Sequence, residues 1–507
     1  MVVSSHLRPC GVSVALPEAE KEVMSILVTR TRGVHRTITI AALIVILLCS
    51  FAAQAQADQG KATTRGLTTL YVSPKGSDSD TGSVRAPLKS AHVAIARLGA
   101  AGGTVVFDGG RYVGQRITIA NRSHITLKAA RGQTPVLDGK GITPPDGSSG
   151  MIEIRDSTDI TVQGLTVTGY RTESIDKMPI GIYVTGSGSG IALRGNHVHH
   201  LGNDNGTLGS YDINAHGIAI YGRNAKTSIS DVHVVGNELD HLVLGASESL
   251  VVNGNVDGWW ITDNNIHDNN NIGIDAIGFE PTISGAARFT DVNRARNGVI
   301  ARNTVSRIIS EGNPSYYEDG EWCNCADGIY VDGGLSIEIT KNRVEASDIG
   351  IEVASEWAKG STNDISVTGN RVTQSRYTGV AIGGYDQDRG EAYDITVEGN
   401  FLRDNNTLDD GSPEMLVQYD VHDTTITNNV IESTKKTEPL MLFRNEPAGS
   451  AAQNAGVVLD NNRYVGRVAP GEETYGWNGV AVQGLTAYQA VSGQDASSTF
   501  SRTCNKR

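Results

Sequence analysis

Gly273-Ile274-Asp275-Ala276-Ile277-Gly278 returns twice more downstream, as Gly328-Ile329-Tyr330-Val331-Asp332-Gly333 and as Gly350-Ile351-Glu352-Val353-Ala354-Ser355. Each copy opens on glycine and continues with apolar residues at alternate positions. Successive side chains of a strand point to opposite faces. With Ile274, Ile329 and Ile351 turned inward, Asp275, Asp332 and Glu352 all fall on the outer face. If consecutive copies stack, three carboxylates share one wall.

Working outward, short alternating strands precede and follow these motifs: Ile160-Thr161-Val162, Ile191-Ala192-Leu193, Val232-His233-Val234, Ile337-Glu338-Ile339, Ile365-Ser366-Val367 and Ile395-Thr396-Val397. Most run into an asparagine turn, at Asn196, Asn237, Asn265, Asn303, Asn342, Asn370, Asn400, Asn429 and Asn462. The asparagine is followed by another short strand, as in Asn342-Arg343-Val344, and the Gly-Ile motif supplies a third. Three short strands and three turns per repeat describe one coil of an all-β solenoid, a right-handed parallel β-helix. Asparagines at equivalent corners suit an internal ladder of stacked amides, and asparagine tolerates left-handed backbone. A propeller needs blades of roughly 40–50 residues; the step from Asn342 to Asn370 is 28 residues, too short for four strands.

The ends read differently. Arg30, Arg32 and Arg36 precede the apolar run Ile38 to Ala53, and Ala55-Gln56-Ala57 matches a small-x-small cleavage site. Residues 1–57 are therefore expected to be an export-signal region, with Met24 as an alternative start and an uncleaved anchor as the competing reading. The secreted product, extracellular or periplasmic, would carry a polar linker at 58–68, a β-helix catalytic domain over 69–465 and a C-terminal cap and tail over 466–507. Ser90 to Leu98 reads as an amphipathic helix covering the N-terminal end of the solenoid, where apolar rungs and unpaired backbone would otherwise be exposed.

The formal charge of −13 argues against nucleic acid as a partner. Cys323, Cys325 and Cys504 follow the expected cleavage point. Cys323 and Cys325 are too close for an easy mutual bridge, a link from Cys504 to one of them is an open alternative, and the odd count leaves one thiol over; no histidine cluster completes a metal site with them. Two long insertions, Glu280 to Asn297 and Ser306 to Ala326, flank the carboxylate wall, and insertions on one face of a solenoid commonly build its binding face.

Registering successive coils on the Gly-Ile pair gives outer positions Tyr183 and Thr185, Ala219 and Tyr221, Val251 and Asn253, Asp275 and Ile277, Tyr330 and Asp332, Glu352 and Ala354. Adjacent strands lie about 4.8 Å apart. The carboxyl groups of Asp275, Asp332 and Glu352 then approach the roughly 6–10 Å range of inverting glycoside hydrolysis, in which one acid protonates the leaving oxygen and another activates water. Crowding raises at least one pKa, as a general acid requires. Two other readings compete: a solvated acidic face, and a Ca²⁺ site made by the same three carboxylates. Asn253, Glu280, Tyr330 and Glu356 are candidate substrate contacts, as are Tyr316, Tyr317 and Trp322, which can stack on sugar rings. His216 is a further candidate there or as a base, and Lys359 and Arg389 are the other bases available for β-elimination.

With these coils, asparagine corners and flanking insertions, residues 69–465 resemble the pectate-lyase-like superfamily of right-handed parallel β-helices. The resemblance implies a secreted, monomeric enzyme acting on polysaccharide, free of the membrane once its signal is removed. The polygalacturonase pattern of Asn-Thr-Asp, vicinal Asp-Asp, Gly-His-Gly and Arg-Ile-Lys is absent; Ala215-His216-Gly217 is the nearest piece. The calcium aspartates and basic residue of pectate lyases are not recognisable either. The expected activity is glycosidic hydrolysis by Asp275, Asp332 and Glu352 with no required cofactor. A calcium-assisted lyase is the runner-up, and a non-catalytic glycan-binding surface protein is the alternative of another class. The acidic balance favours neutral glycans over polyanions.

Overall fold

The computed structural model describes residues 68–435, 438–444, 450 and 452–503. The repeat seen in the sequence becomes a coil of three strands. Leu335–Thr340, Arg343–Glu345 and Ile349–Ala354 form one coil, and Ser361–Thr368, Arg371–Thr373 and Thr378–Ile382 form the next. Each strand pairs in parallel with its counterpart one coil on, Ile337 on Ile365, Val344 on Val372 and Ile351 on Val380. The inward residues Ile337, Ile339, Val344, Ile351 and Val353 are buried in one continuous core, and burying each such side chain contributes about 1.5–3 kcal/mol. In the Trp259-Trp260 pair one ring is buried and the other lies outside, stacked on His233.

The glycine that opens each motif is a packing requirement. A Cβ at Gly273, Gly328 or Gly350 would sit 2.5, 2.7 or 2.3 Å from the carbonyl oxygen of the equivalent glycine one coil on. Only a residue without a side chain lets the third strand rise this close to the next coil.

The corner ladder is continuous. Each asparagine Nδ2 donates to the Oδ1 of the next, from Asn196 through Asn237, Asn264, Asn303, Asn342, Asn370, Asn400 and Asn429 to Asn462. One member corrects the expectation: Asn264 occupies the corner, and Asn265 is an exposed residue that opens the following strand. The corner asparagine stands two residues before the buried apolar one, as Asn196 does before Val198, and by that rule Asn264 precedes Ile266.

Both ends are covered. The helix Ala91–Leu98 buries Ala91, Ala94, Ile95 and Leu98. At the other end the hairpin Thr474–Trp477 with Val480–Gln483 and the helix Leu485–Ser492 close the core, with Tyr464, Tyr475 and Tyr488 packed ring against ring. The solenoid runs further than expected, because Thr499–Arg502 pairs in parallel with Arg463–Gly466. Thr68 already belongs to the first strand, Thr68–Val72. Cys323 and Cys325 are bonded to each other, which corrects the expectation from their spacing: the chain turns between them, and their Cα atoms are 5.5 Å apart, inside the range a disulfide spans. Cys504, the export-signal region and most of the linker lie outside the described residues. Among the described residues no helix is long and apolar enough to cross a membrane.

Asn342→Ala removes the acceptor for both the backbone N–H and the Nδ2 of Asn303. Each buried orphan costs about 1–3 kcal/mol, so the denaturation midpoint of Asn342→Ala should fall clearly, while Asn265→Ala should leave it nearly unchanged.

Candidate active site

Backbone pairing fixes where the acids stand. Val251 pairs with Asp275, Asp275 with Tyr330, Tyr330 with Glu352, and Glu352 with Ala381. Two residues further along the strands, Asn253 pairs with Ile277, Ile277 with Asp332, and Asp332 with Ala354. Asp275 and Glu352 thus share a row with Tyr330 between them, and Asp332 sits diagonally from both. Tyr330 packs on Ile272 and Ala354.

The wall is not solvated. Asp275, Asp332 and Glu352 are 2, 4 and 6 % exposed, and two acids that strand alternation alone did not single out, Asp327 and Glu248, are 3 and 8 % exposed. Glu280 and Glu356, on the loops that leave the Asp275 and Glu352 strands, are half-buried and form the rim. The partners are sparse. The Oδ1 atoms of Asp275 and Asp327 are buried without any hydrogen bond. Asp332 Oδ1 accepts the Glu356 backbone N–H at 2.7 Å, Glu352 receives a long contact of 3.4 Å from Gln418 Nε2, and Asp327 and Glu352 hydrogen-bond to each other. Among the described residues no lysine or arginine forms an ion pair with Asp275, Asp327, Asp332 or Glu352.

Burial without a counter-charge favours the protonated form. Burial first, then neighbouring carboxylates, push Asp275, Asp327 and Asp332 well above the ordinary aspartate range. For Asp275 the neighbours are Glu248, Asp332, Asp327 and Glu356. Burial raises Glu352 and Glu356 to about 7. Several carboxyls therefore share protons near neutrality, and one can donate while another accepts.

The surrounding candidates divide. Asn253 does not present a free amide, which corrects its expected role: its Nδ2 donates to Glu280 Oε2 at 2.6 Å and its Oδ1 accepts from Thr282 at 2.6 Å, so it orients Glu280. His216 is fully buried, with one ring nitrogen 3.0 Å from the Tyr221 hydroxyl and the other 3.2 Å from the Glu248 carbonyl. Both nitrogens are occupied, so it supports Glu248 and is not free to act as a base. The Tyr316 hydroxyl lies 3.2 Å from Asn271 Nδ2, which places it over the Glu248 and Glu356 side of the cluster. Tyr317 and Trp322 pair across a short hairpin with their rings 4.7 Å apart. Lys359 lies over the Phe289 ring, and Arg389 binds Asp386 and the Glu356 carbonyl. A feature absent from the sequence reading is the group Phe289, Arg288 and Trp357, the guanidinium lying 5.0 and 4.2 Å from the two ring centres, beside Glu356 in the chain. The oxygens of Asp275, Asp332 and Glu352 do not converge as a three-ligand metal set; among the described residues such sets, with all ligand atoms within 4.8 Å of one another, occur elsewhere.

Stacked parallel coils define a fold class, the parallel β-helices, and this one carries a row of acids on one outer face. Among solved structures the chain is similar to the GH136 lacto-N-biosidase of Eubacterium ramulus: the selenomethionine derivative superposes with a TM-score of 0.55 at 14 % identity over 78 % of this chain and 67 % of that one. The native crystal form gives a TM-score of 0.52 with the same identity and coverage. No family model matches the chain. It belongs to the family of the uncharacterized protein YwoF of Bacillus subtilis (strain 168), being 33 % identical to it over 448 residues, which are 87 % of this chain and 90 % of the relative.

The raised carboxyls couple folding to pH. Glu352 and Glu356 shift from 4.5 to about 7 on folding, so their stabilising contribution is complete below pH 4.5 and is lost as pH rises through 7. The melting temperature should decline across that window, and Glu352→Gln should flatten the decline in a thermal-unfolding series at constant ionic strength.

Proposed function

We propose that this chain is a carbohydrate-active enzyme that hydrolyses glycosidic bonds, with Asp332 as general acid, Glu352 as general base and Asp275 holding a sugar hydroxyl at the reacting ring. The observation that carries this reading is a group of buried carboxyls without a cationic partner, two of them with an oxygen that makes no hydrogen bond. A fold that wanted only stability would replace them with apolar residues, and perturbed acids gathered on one wall mark a reactive site.

The reaction is a single displacement. Asp332 donates its proton to the glycosidic oxygen as the bond to the anomeric carbon breaks. A water attacks that carbon from the opposite side and gives its proton to Glu352. Strand spacing and rise put the Cα atoms of Glu352 and Asp332 on the order of 8 Å apart, so the two carboxyls can flank a water. Solvent exchange returns the proton to Asp332. The rim, half-buried at Glu280, Glu356 and Trp357 and exposed at Phe289, is where a neutral glycan would rest, aromatic faces being suited to sugar rings.

Hydrolysis is favoured over β-elimination because the bases a lyase would need are engaged elsewhere: Lys359 on Phe289, Arg389 on Asp386, and His216 on Tyr221 and Glu248. Purified protein on a panel of neutral and acidic polysaccharides, with and without chelator, should release reducing ends from a neutral glycan without a rise in ultraviolet absorbance. Unsaturated products would establish elimination instead, and saturable binding without turnover would establish a non-catalytic glycan-binding protein. Glu352→Gln and Asp332→Asn should each lower kcat about 10²–10⁴-fold with the fold intact. Trp357→Ala should raise KM and leave kcat nearly unchanged.

A further inference from the structure

The second strand of each coil carries a different chemistry, on another sheet than the acids. His197–His199, Glu238–Asp240 and Asn265–Asn269 are successive strands of the smaller, 13-stranded sheet. Their register stacks His197 on Glu238 and Asn265, and His199 on Asp240 and His267. The corner residues that follow, His200, His241 and Asp268, all take left-handed backbone with φ of 50, 51 and 55°. Asp240 is therefore at the centre of a patch with five histidines around it.

The contacts converge on that carboxylate. His197 Nε2 reaches Asp240 Oδ1, and His241 Nδ1 lies 2.5 Å from Asp240 Oδ2. His199 Nδ1 and His200 Nδ1 face each other at 2.8 Å, and the His200 and His241 rings stack with centres 4.8 Å apart. Asp240 is 6 % exposed, and both of its ion-pair partners are imidazoles. Asp268, by contrast, is already matched by Arg307, with both oxygens at 2.6 Å. The ligand atoms of His200, Asp240 and His241 lie within 4.8 Å of one another, as do those of His197, Glu238 and Asp240.

We infer that this patch is a binding site for a divalent transition-metal cation of the zinc class, with Asp240 as its central ligand and His200 and His241 as the imidazole donors. Imidazole and carboxylate together select zinc-like ions over calcium, which prefers oxygen alone. Metal–nitrogen bonds of about 2.1 Å place tetrahedral ligand atoms roughly 3.4 Å apart, which the present atoms reach by moving slightly outward from their mutual contacts. His200 and His241 are exposed, so an ion enters from solvent without opening the core. The two carboxylate oxygens face different histidines, so the same aspartate can bridge a second ion. The corner backbone is the fold's own, since Arg307, Ala346 and Gln374 share it; it is the run of histidines across consecutive coils that makes the site. The inference is independent of the proposed hydrolysis.

The test uses the full chain after chelator treatment. Titration calorimetry with Zn²⁺ should show micromolar or tighter binding, Zn²⁺ should raise the melting temperature, and Co²⁺ should give visible d–d bands from nitrogen ligation. Asp240→Asn and His241→Ala should each weaken Zn²⁺ binding by about tenfold or more, while Asp275→Asn should leave it unchanged. Absence of micromolar binding, or binding that persists in both patch variants, would overturn the site and leave the histidines as ion-pair partners of Asp240.

Discussion

The parallel pairing of each coil on the next is the constraint from which every outward side chain takes its position. It sets a spacing of about 4.8 Å between equivalent residues, and a slip of one residue would turn each strand inside out. Two features hold the register. The corner amides donate both to the next coil and to backbone carbonyls, as Asn342 does to Asn370 and to Ile300, and the motif glycines admit the following coil's carbonyl where any side chain would collide. With those fixed, residue identity along a row is free to vary, and chemistry follows from which coil carries which residue.

Crowding unpaired acids in a buried row works against folding, because each charged carboxyl loses water and gains repulsion. A solenoid tolerates this better than a single globular core does. Its stability is approximately a sum over neighbouring repeats, so strain at Asp275, Asp332 and Glu352 is confined to a few coils, and the continuous ladder and aliphatic core on either side are undisturbed. The protons shared within the cluster relieve the repulsion, and the same protons make acid–base chemistry available near neutral pH.

The legible part of this molecule is whatever depends on period. Alternation in the three motifs predicted the observed register of Asp275, Tyr330, Asp332 and Glu352, residue for residue. Local ambiguity defeated the reading at Asn264 and Asn265, where two asparagines compete for one corner and only the buried Ile266 arbitrates. Asp327 and Glu248 escaped because they stand just before the residue pair on which the coils are registered, although Asp327 already opens the strand Asp327–Asp332; the signal was available in His216, which occupies the equivalent position in its own coil. Burial of the wall was not legible at all, since it depends on how Glu280 to Asn297 and Ser306 to Ala326 fold back over the coils. The mutual bridge of Cys323 and Cys325 belongs to the same category, a product of a turn inside an insertion.

Floor and rim then have separate tasks. The most buried acids, Asp275, Asp327, Asp332 and Glu352, lie where solvent is scarce and an electrostatic interaction is strongest. Glu280, Glu356, Phe289 and Trp357 are less buried, and they belong to loops whose length the coil does not dictate. Under the proposed hydrolysis, change at the rim would alter which glycan is held without moving the register beneath it, whereas change at the floor would alter proton transfer for every glycan alike. The histidine patch follows the same rule on another sheet: the coil supplies the spacing, and neighbouring side chains decide what the spacing can hold.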